Sequence, residues 1–286
     1  MKKTQFILFI PRAKAKEKPA DFSVKMGDHF IEQTTTYKYL GVLIDENLNW
    51  VPQIDKMCAK LSSVCGIISK ARHYLDRSSL MLIYNSLVES RLRYGILSWS
   101  TASQQQLNRL KVLQNKALRF ITFSRPDVSM LPLYSKLNVL PLDKLILLHQ
   151  ATYMYCFSNN ILPSVFNSYC KKPAHSFNTR FAKHNFSLPI HNSVLKDRSI
   201  KVIGPKVWTD VPLEIKVLPF RKSFTKKFKK ILLSSLPTKQ SNRKKFDLDR
   251  SNKKEDTSAE FPELYDIFFN GNGSIDEEFF GFDSPD

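Results

Sequence analysis

The feature that most restricts the fold is a spacing of three and four residues between apolar side chains, which begins just after residue 50 and returns along the chain. In the first segment this spacing, one face of an α-helix, is carried by Ile54, Met57, Cys58, Leu61, Val64, Cys65 and Ile68. The same spacing predicts helices from about Arg77 to a break at Gly95, and at Ser103–Thr122, Leu131–Leu137, Leu142–Cys156 and Arg221–Ser235. Because only eight of the 286 residues are Gly, we predict a mainly helical protein.

The N-terminal part differs, because short runs of β-branched and aromatic residues predict strands there. Residues 4–10 form one such run, and Phe22–Met26 with Phe30–Gln33 predict a hairpin around a Gly-Asp turn. Tyr37–Ile44 predicts a last strand, which is followed by an acidic turn at residues 45–47 and by Asn49 as the N-cap of the first helix. The predicted fold class is therefore mainly α with a small antiparallel β element at the N-terminus (α+β).

Composition divides the chain into four parts. Residues 1–48 hold the short strands, residues 49–157 a helical bundle, and residues 158–236 a region with a Gly-Pro-Trp motif and a basic helix. Within this third part, Arg198–Lys216 is predicted to be a compact, turn-rich motif. Residues 237–286 are first basic and then acidic with aromatic residues, a composition that predicts a disordered tail.

The net charge of +18 is divided unevenly. All 44 Lys and Arg lie in residues 1–254, whereas ten of the 26 Asp and Glu lie in residues 255–286, so residues 1–254 carry +28 and residues 255–286 carry −10. A body this basic predicts a polyanionic partner, nucleic acid before an anionic membrane surface. No apolar run approaches the length of a membrane span, and no membrane partner is predicted.

Cations that lie off the apolar stripes are the candidates for phosphate contacts. They are Lys56, Lys60, Lys70, Arg72, Lys116 and Arg119 in the bundle, and Lys226, Lys227, Lys229 and Lys230 in the last helix. For each single residue a solvated helix face is an equal alternative, and the last four also fit a nuclear import signal or a membrane-binding helix. Trp50 and Trp99 could stack on bases, but burial in the core is the favoured interpretation.

Cysteine usage argues against a metal site and for an intracellular protein. The four cysteines are Cys58, Cys65, Cys156 and Cys170, and they show neither a Cys-x-x-Cys pair nor zinc-ligand spacing. Such cysteines are typical of a reducing compartment. The N-terminal apolar run, Phe6–Ile10, is five residues long, which is too short for the core of a signal peptide. An intracellular location is predicted, with the nucleus as an open alternative.

Six segments of the chain carry a family resemblance. They are KKT (Lys2–Thr4), YKYLGVLIDENLNW (Tyr37–Trp50), LMLIYNSLVESRLRYGILSW (Leu80–Trp99), LNRLKVLQNKALRFIT (Leu107–Thr122), LPLYSKLNVLPL (Leu131–Leu142) and RSIKVIGPKVWTDVPLEIK (Arg198–Lys216). Taken in this order, they resemble reverse transcriptases of non-LTR retrotransposons of the LINE-type and jockey-like kind. The resemblance covers roughly residues 1–235. It implies that residues 1–48 are residual palm strands, that residues 49–157 are a thumb-like helical bundle, and that the remainder is the region after the thumb.

The resemblance implies a fragment of an RNA-directed DNA polymerase. The family binds Mg²⁺ through an Ala-Asp-Asp box just before the Lys-Thr pair, but this sequence has no Asp-Asp pair, and its first Asp is Asp21. We therefore expect a chain that is inactive alone, holds no cofactor or metal, and is limited to binding a template–primer, RNA or an RNA/DNA duplex. Lys3 matches the family's palm lysine, a proposed proton donor, and is expected to be a remnant without a catalytic role.

Two alternatives stay open for the partners. In the first alternative, the chain supplies a thumb in trans to a palm-containing chain, because its N-terminal strands need pairing at their edges. Alternatively, it is a domesticated interaction protein that acts through its basic body and its acidic-aromatic tail.

Overall fold

The computed structural model describes residues 4–9, 22–172, 184–190 and 194–236, and over these residues the chain is mainly helical, as predicted. The helices are α1 (Val51–Ala71), α2 (Arg77–Ile83), α3 (Ser90–Arg93), α4 (Ile96–Trp99), α5 (Gln104–Thr122), α6 (Met130–Leu137), α7 (Leu142–Ser158), α8 (Val194–Asp197), α9 (Ile200–Asp210), α10 (Leu213–Lys216) and α11 (Arg221–Ser234). A π-helical segment, Tyr84–Glu89, joins α2 to α3, and a 3-10 helix spans Ser164–Phe166. The predicted disordered tail, residues 237–286, lies outside the described residues.

Five short strands precede the helices. They are β1 (Gln5–Phe6), β2 (Val24–Met26), β3 (His29–Gln33), β4 (Thr36–Tyr39) and β5 (Val42–Asp45). β2 and β3 form the predicted antiparallel hairpin, and its turn contains Gly27 at a φ of 62°, a conformation that glycine adopts readily. β1 pairs in parallel with the other edge of β3, which gives the order β1–β3–β2. The small antiparallel element is thus confirmed, with one short parallel pair in addition.

The prediction of a single strand over Tyr37–Ile44 is wrong, because this segment is a hairpin. β4 and β5 pair antiparallel along their whole length. Leu40 and Gly41 form the turn with φ values of 46° and 83°, and two successive positive φ values are typical of a two-residue hairpin turn. A Cβ on Gly41 would also lie 3.4 Å from the ring of Tyr94, so glycine meets both the backbone and the space requirement.

The Asp45 carboxylate organises the turn between β5 and α1. Asp45 is only 5% exposed, and it accepts hydrogen bonds from the backbone N–H groups of Asn47, Asn49 and Trp50 at 3.2, 3.1 and 2.8 Å. The Val51 N–H donates to Asn49 Oδ1 at 2.9 Å. The N-cap of α1 is nevertheless Trp50, one residue later than predicted, because its backbone is left-handed, with a φ of 64°.

The two longest helices, α1 and α5, run parallel. Near their starts, Trp50 Nε1 donates to Thr101 Oγ1 at 2.7 Å. Near their ends, the Arg72 guanidinium lies 5.5 Å from the centroid of the Phe120 ring. The C-terminal ends of both helices therefore lie side by side, and their side chains form a common surface there.

The tryptophans belong to the core, as the favoured interpretation predicted. Trp99 and Trp208 are almost completely buried, and Trp50 is 8% exposed. Trp99 Nε1 donates to the Tyr94 carbonyl oxygen at 2.8 Å. Rings buried in this way have no free face for a base, so the stacking alternative for Trp50 and Trp99 does not hold.

The prediction of a turn-rich motif over Arg198–Lys216 is wrong, because most of this segment forms α9 and α10. Pro205 lies inside α9, where it removes one backbone hydrogen bond. A Cβ on Gly204 would lie only 2.6 Å from the Met154 sulfur, so the absence of a side chain there allows α9 to pack directly on α7. This packing outweighs the lost hydrogen bond. The resulting core is continuous from Trp50 to Leu236.

Candidate nucleic-acid interface

A cationic groove of about 570 Å³ lies between α3, α7 and the first half of α11. Its lining consists of Glu89, Arg93, Asn138, Leu140, Leu145, Leu148, Arg221, Lys222, Thr225, Lys226 and Lys229. Five of these side chains are cationic, and the acidic member, Glu89, pairs with Arg93 at 3.4 Å. The groove therefore carries excess positive charge beside buried leucines, an environment that favours an anionic ligand.

Residue spacing on α11 places part of its charge in this groove. Three apolar residues, every fourth along the helix, bury one face against the core. Lys222, Lys226 and Lys229 recur at four and three residues and so share a neighbouring face, which lines the groove. The structure thereby divides the predicted set of four lysines, because Lys227 and Lys230 are exposed and lie outside the lining.

His149 of α7 holds Arg93 at the groove. Arg93 Nε donates to His149 Nε2 at 3.3 Å. Burial, followed by the charges of Arg93 and Arg221, lowers the pKa of His149 to about 4. The imidazole is therefore neutral near pH 7 and accepts this hydrogen bond, so that it positions a guanidinium without repelling it.

Protonation of His149 is expected to destabilise the fold in mild acid. Its pKa is about 4 in the folded chain and about 6.5 in an unfolded chain, so the unfolded state takes up the proton first. The free energy of unfolding should keep its full value above about pH 6.5 and fall by roughly 3 kcal/mol towards pH 4. Urea unfolding at pH 7 and pH 4 measures this fall. The fall should be smaller in His149→Gln, and an equal fall in both proteins would contradict the assignment.

A second group of cations lies where β4 meets the first half of α1. The pKa of Lys56 is lowered first by burial and then by the charges of Lys38 and Lys60. A phosphate bound among these ammonium groups relieves their repulsion. The structure thus brings the predicted Lys56 and Lys60 together and adds Lys38, which the helical pattern could not include because it lies on a strand.

A third group occupies the adjacent C-terminal ends of α1 and α5. The Arg72 guanidinium lies against the rings of both Phe120 and Phe123, at 5.5 and 4.9 Å from their centroids. Lys116 Nζ lies 5.8 Å from the centroid of Phe120, and Lys70 is exposed in the last turn of α1. Cations and aromatic rings therefore alternate on this surface.

Arg119 has a structural role beside this group. Its Nη2 donates to the Val128 carbonyl oxygen at 3.2 Å, which ties the loop after α5 to the helix. The six cations predicted in the bundle do not form one patch, because Lys56 and Arg72 are separated by about 24 Å along α1. They form two separate groups instead.

Sequence reasoning missed three groove cations, Arg93, Arg221 and Lys222. Arg93 is more than a hundred residues away from Arg221 and Lys222, so no local pattern joins the three cations. The available signal in the sequence was the cation pair, Arg221 and Lys222, that begins the last helix. Lys3 lies outside the described residues. Within the described part of the chain, no three His, Cys, Asp or Glu side chains are placed to hold a metal ion, and no helix there has the length and apolarity to cross a bilayer.

Lys216 is a buried cation in the lining of a second, smaller cavity of about 260 Å³. Its Nζ donates to Asn185 Oδ1 at 2.9 Å and lies 5.2 Å from the centroid of the Trp208 ring. Burial lowers the pKa of Lys216. Lys216 links α10 to the segment 184–190 through a neutral amide, and the negative charge of Asp210 offsets part of the lowering of its pKa.

Removing the charge of Lys216 is expected to change the free energy of unfolding less than removing its hydrogen-bond partner, Asn185. Lys216→Met keeps the apolar stem and ends the burial of a charge, so the free energy of unfolding should change by less than about 1 kcal/mol. Asn185→Leu leaves the buried ammonium without its acceptor and should lower it by about 2 kcal/mol. Urea unfolding of both variants measures the difference, and a larger loss in Lys216→Met would show that the cation itself stabilises the fold.

Comparison with known proteins is consistent with nucleic-acid chemistry. No protein-family model matches the chain, and no solved structure matches it. It is 28% identical over 141 residues to the probable RNA-directed DNA polymerase from transposon BS of Drosophila melanogaster, a match that covers 47% of this chain and 15% of that protein. It is 29% identical over 96 residues to the probable RNA-directed DNA polymerase from transposon X-element of the same species, covering 32% and 10%.

A third relative is the RNA-directed DNA polymerase from mobile element jockey of Drosophila funebris, which is 29% identical over 103 residues, covering 35% of this chain and 11% of that protein. Over about a third to half of its length, the chain is thus homologous to jockey-like and other non-LTR retrotransposon polymerases. The matches span only 10 to 15% of these relatives. The resemblance inferred from the ordered motifs is confirmed.

Proposed function

We propose that the chain binds the phosphate backbone of a template–primer, RNA or an RNA/DNA duplex, as the part of a reverse transcriptase that grips nucleic acid. The observation that carries this proposal is the groove, in which cations from α3 and α11 surround a cavity with Glu89 as its acidic member. The names of the relatives, RNA-directed DNA polymerases, support nucleic acid as the polyanion. Phosphate contacts carry no sequence information, which suits a polymerase that copies any template.

The two cation groups on the bundle extend the contact with the backbone. Lys56 and Arg72 lie about 24 Å apart along α1, a distance that corresponds to roughly seven base pairs at a rise of about 3.4 Å per pair. Phosphates of one duplex can therefore meet both groups. The contact depends on the charge of each group and not on any single lysine.

We propose further that this chain alone does not polymerise. Nucleotide transfer uses two metal ions that carboxylates hold beside the reacting oxygens, and the sequence has no Asp-Asp pair to supply them. With Mg²⁺, nucleotides and a labelled primer on a template, we expect no extension of the primer. Extension that disappears when the metal is chelated would contradict this part of the proposal.

A palm-containing chain is the partner that we propose for the N-terminal sheet. Every residue of β1, β2 and β3 is exposed or half-buried, so this sheet has no buried core of its own. Phe22, Met26 and Phe30 leave large apolar surfaces in solvent. Size-exclusion chromatography with a palm fragment of a related polymerase should show a joint peak, which Phe30→Lys should abolish; separate elution of the wild-type chain would contradict the proposal.

Salt dependence of binding tests the main proposal. Fluorescence anisotropy with a labelled RNA/DNA hybrid should give a dissociation constant that rises steeply between 50 and 200 mM salt. If the five groove cations each neutralise one phosphate, the slope of log affinity against log salt is about −4.5, so affinity falls about 500-fold over this range. Absence of binding at 50 mM salt, or affinity independent of salt, would overturn the proposal.

A further inference from the structure

The surface formed by the C-terminal ends of α1 and α5 exposes two aromatic rings. Phe123 is 58% exposed and Tyr74 is 89% exposed. Phe123 lies directly after α5, and Tyr74 lies three residues after the end of α1. The Phe123 ring meets the imidazole of His73 edge to face, with 6.2 Å between the centroids. The turn that carries His73 and Tyr74 therefore lies against the residue that ends α5.

The backbone of Phe123 makes its exposed ring unusual. Phe123 has a φ of 52° and ends α5 in the left-handed conformation, where the Ser124 N–H donates to the Arg119 carbonyl oxygen at 3.1 Å. Glycine is the common residue at this position of a helix end, because a Cβ is disfavoured there. A large apolar side chain thus occupies a position that the fold would fill more easily with glycine, and the ring remains largely in solvent.

Cations lie against the same rings. The Arg72 guanidinium is 4.9 Å from the centroid of Phe123, and its Nε donates to His73 Nε2 at 3.4 Å. These contacts orient the planar group, and Lys70 adds an exposed charge in the last turn of α1. The surface therefore combines aromatic faces with positive charge, the combination that binds single-stranded nucleic acid.

We propose that unpaired bases of a nucleic-acid strand stack on Phe123 and Tyr74, while Arg72 and Lys70 contact the adjacent phosphates. This inference rests on the proposed function and names the form of nucleic acid that this surface takes. A duplex keeps its base faces inside the stack, so only a single-stranded segment can use the rings. The groove at α11 is different in kind, because its apolar lining residues are leucines and it suits backbone contacts.

Phe123→Gly separates stacking from folding. Glycine meets the backbone requirement of the helix end, so the variant should fold and unfold at the same or a higher urea concentration than the wild-type chain. Binding is compared between a labelled twelve-nucleotide oligo-adenylate and the same strand with abasic sites at its six central positions. The wild-type chain should bind the strand with bases about tenfold more tightly. Phe123→Gly retains the Tyr74 ring and should reduce this preference to about threefold.

Phe123→Tyr is the matched control, because tyrosine restores an aromatic face, and it should keep the tenfold preference. The inference is overturned if Phe123→Gly keeps the full tenfold preference for the strand with bases. It is also overturned if Phe123→Gly weakens binding to the abasic strand as much as binding to the strand with bases. If the wild-type chain binds both strands equally, the stacking inference is also overturned, but the proposed salt-dependent binding to the phosphate backbone is not affected. Failure to bind the RNA/DNA hybrid at 50 mM salt is a separate result, which removes the proposed function itself.

Discussion

Replacing Asp45 by alanine is expected to lower the free energy of unfolding by about 4 kcal/mol. The carboxylate is buried and accepts hydrogen bonds from three backbone N–H groups between β5 and α1. Hydrogen bonds to a charged acceptor contribute about 1.5–3 kcal/mol each, and donors left without a partner in a buried site are destabilising. Part of that gain is already offset by the desolvation of the carboxylate in the native state. Urea unfolding followed by circular dichroism measures the loss.

Asp45→Asn is the matched control for this experiment. The amide keeps the size of the side chain and one acceptor oxygen but loses the negative charge and the second acceptor. We expect it to recover about half of the stability that alanine removes. If alanine and asparagine cost the same, the charge and not the geometry of the three hydrogen bonds holds the turn. A loss below about 1 kcal/mol in Asp45→Ala would show that the turn forms without this side chain.

Removing three groove lysines is expected to weaken binding to an RNA/DNA hybrid about 100-fold at 100 mM salt. Lys222, Lys226 and Lys229 share one face of α11 and line the groove. The slope of log affinity against log salt is negative, and each lysine that no longer neutralises a phosphate should make it shallower by about 0.9. When all three lysines become glutamine, the slope should be shallower by up to about 2.7. Fluorescence anisotropy at several salt concentrations gives both the affinity and the slope.

A triple variant with the same change in net charge distinguishes the groove from the general charge of the protein. Lys171, Lys196 and Lys201 are exposed and lie outside the groove lining. Their replacement by glutamine should weaken binding less than fivefold and leave the slope within about one. Equal effects of the two triple variants would mean that the total charge attracts the hybrid and that the groove has no special part in binding.

The groove shows why the candidate site was only partly predictable. Lys226 and Lys229 were found because basic residues on an amphipathic helix are visible in the sequence, but the helical pattern does not distinguish them from Lys227 and Lys230. Arg93 joins them through packing of α3 and α11 against α7, and His149 orients it. Neither relation has a local signature, because both depend on contacts between residues that are distant in sequence.

The prediction of a single strand at Tyr37–Ile44 failed for a related reason. A continuous apolar run predicts a strand whether or not the chain folds back, and a glycine inside such a run also fits a strand that closely approaches a neighbouring group. Gly41 does lie close to the ring of Tyr94. The reversal, however, needs Leu40 in a left-handed conformation that leucine seldom adopts, so residue type alone pointed away from it.

The helices, their buried faces and the relationship to retrotransposon polymerases all followed from the order of the amino acids. The reason is that a period of three and four residues directly records which side chains leave water, and that ordered motifs persist over long stretches of chain. Three arrangements could be seen only once the helices were packed together: α1 and α5 run parallel, Arg72 lies against both Phe120 and Phe123, and five cations surround one groove. These arrangements follow from how the buried faces pack together, and the cations themselves lie on exposed faces, where burial leaves no pattern.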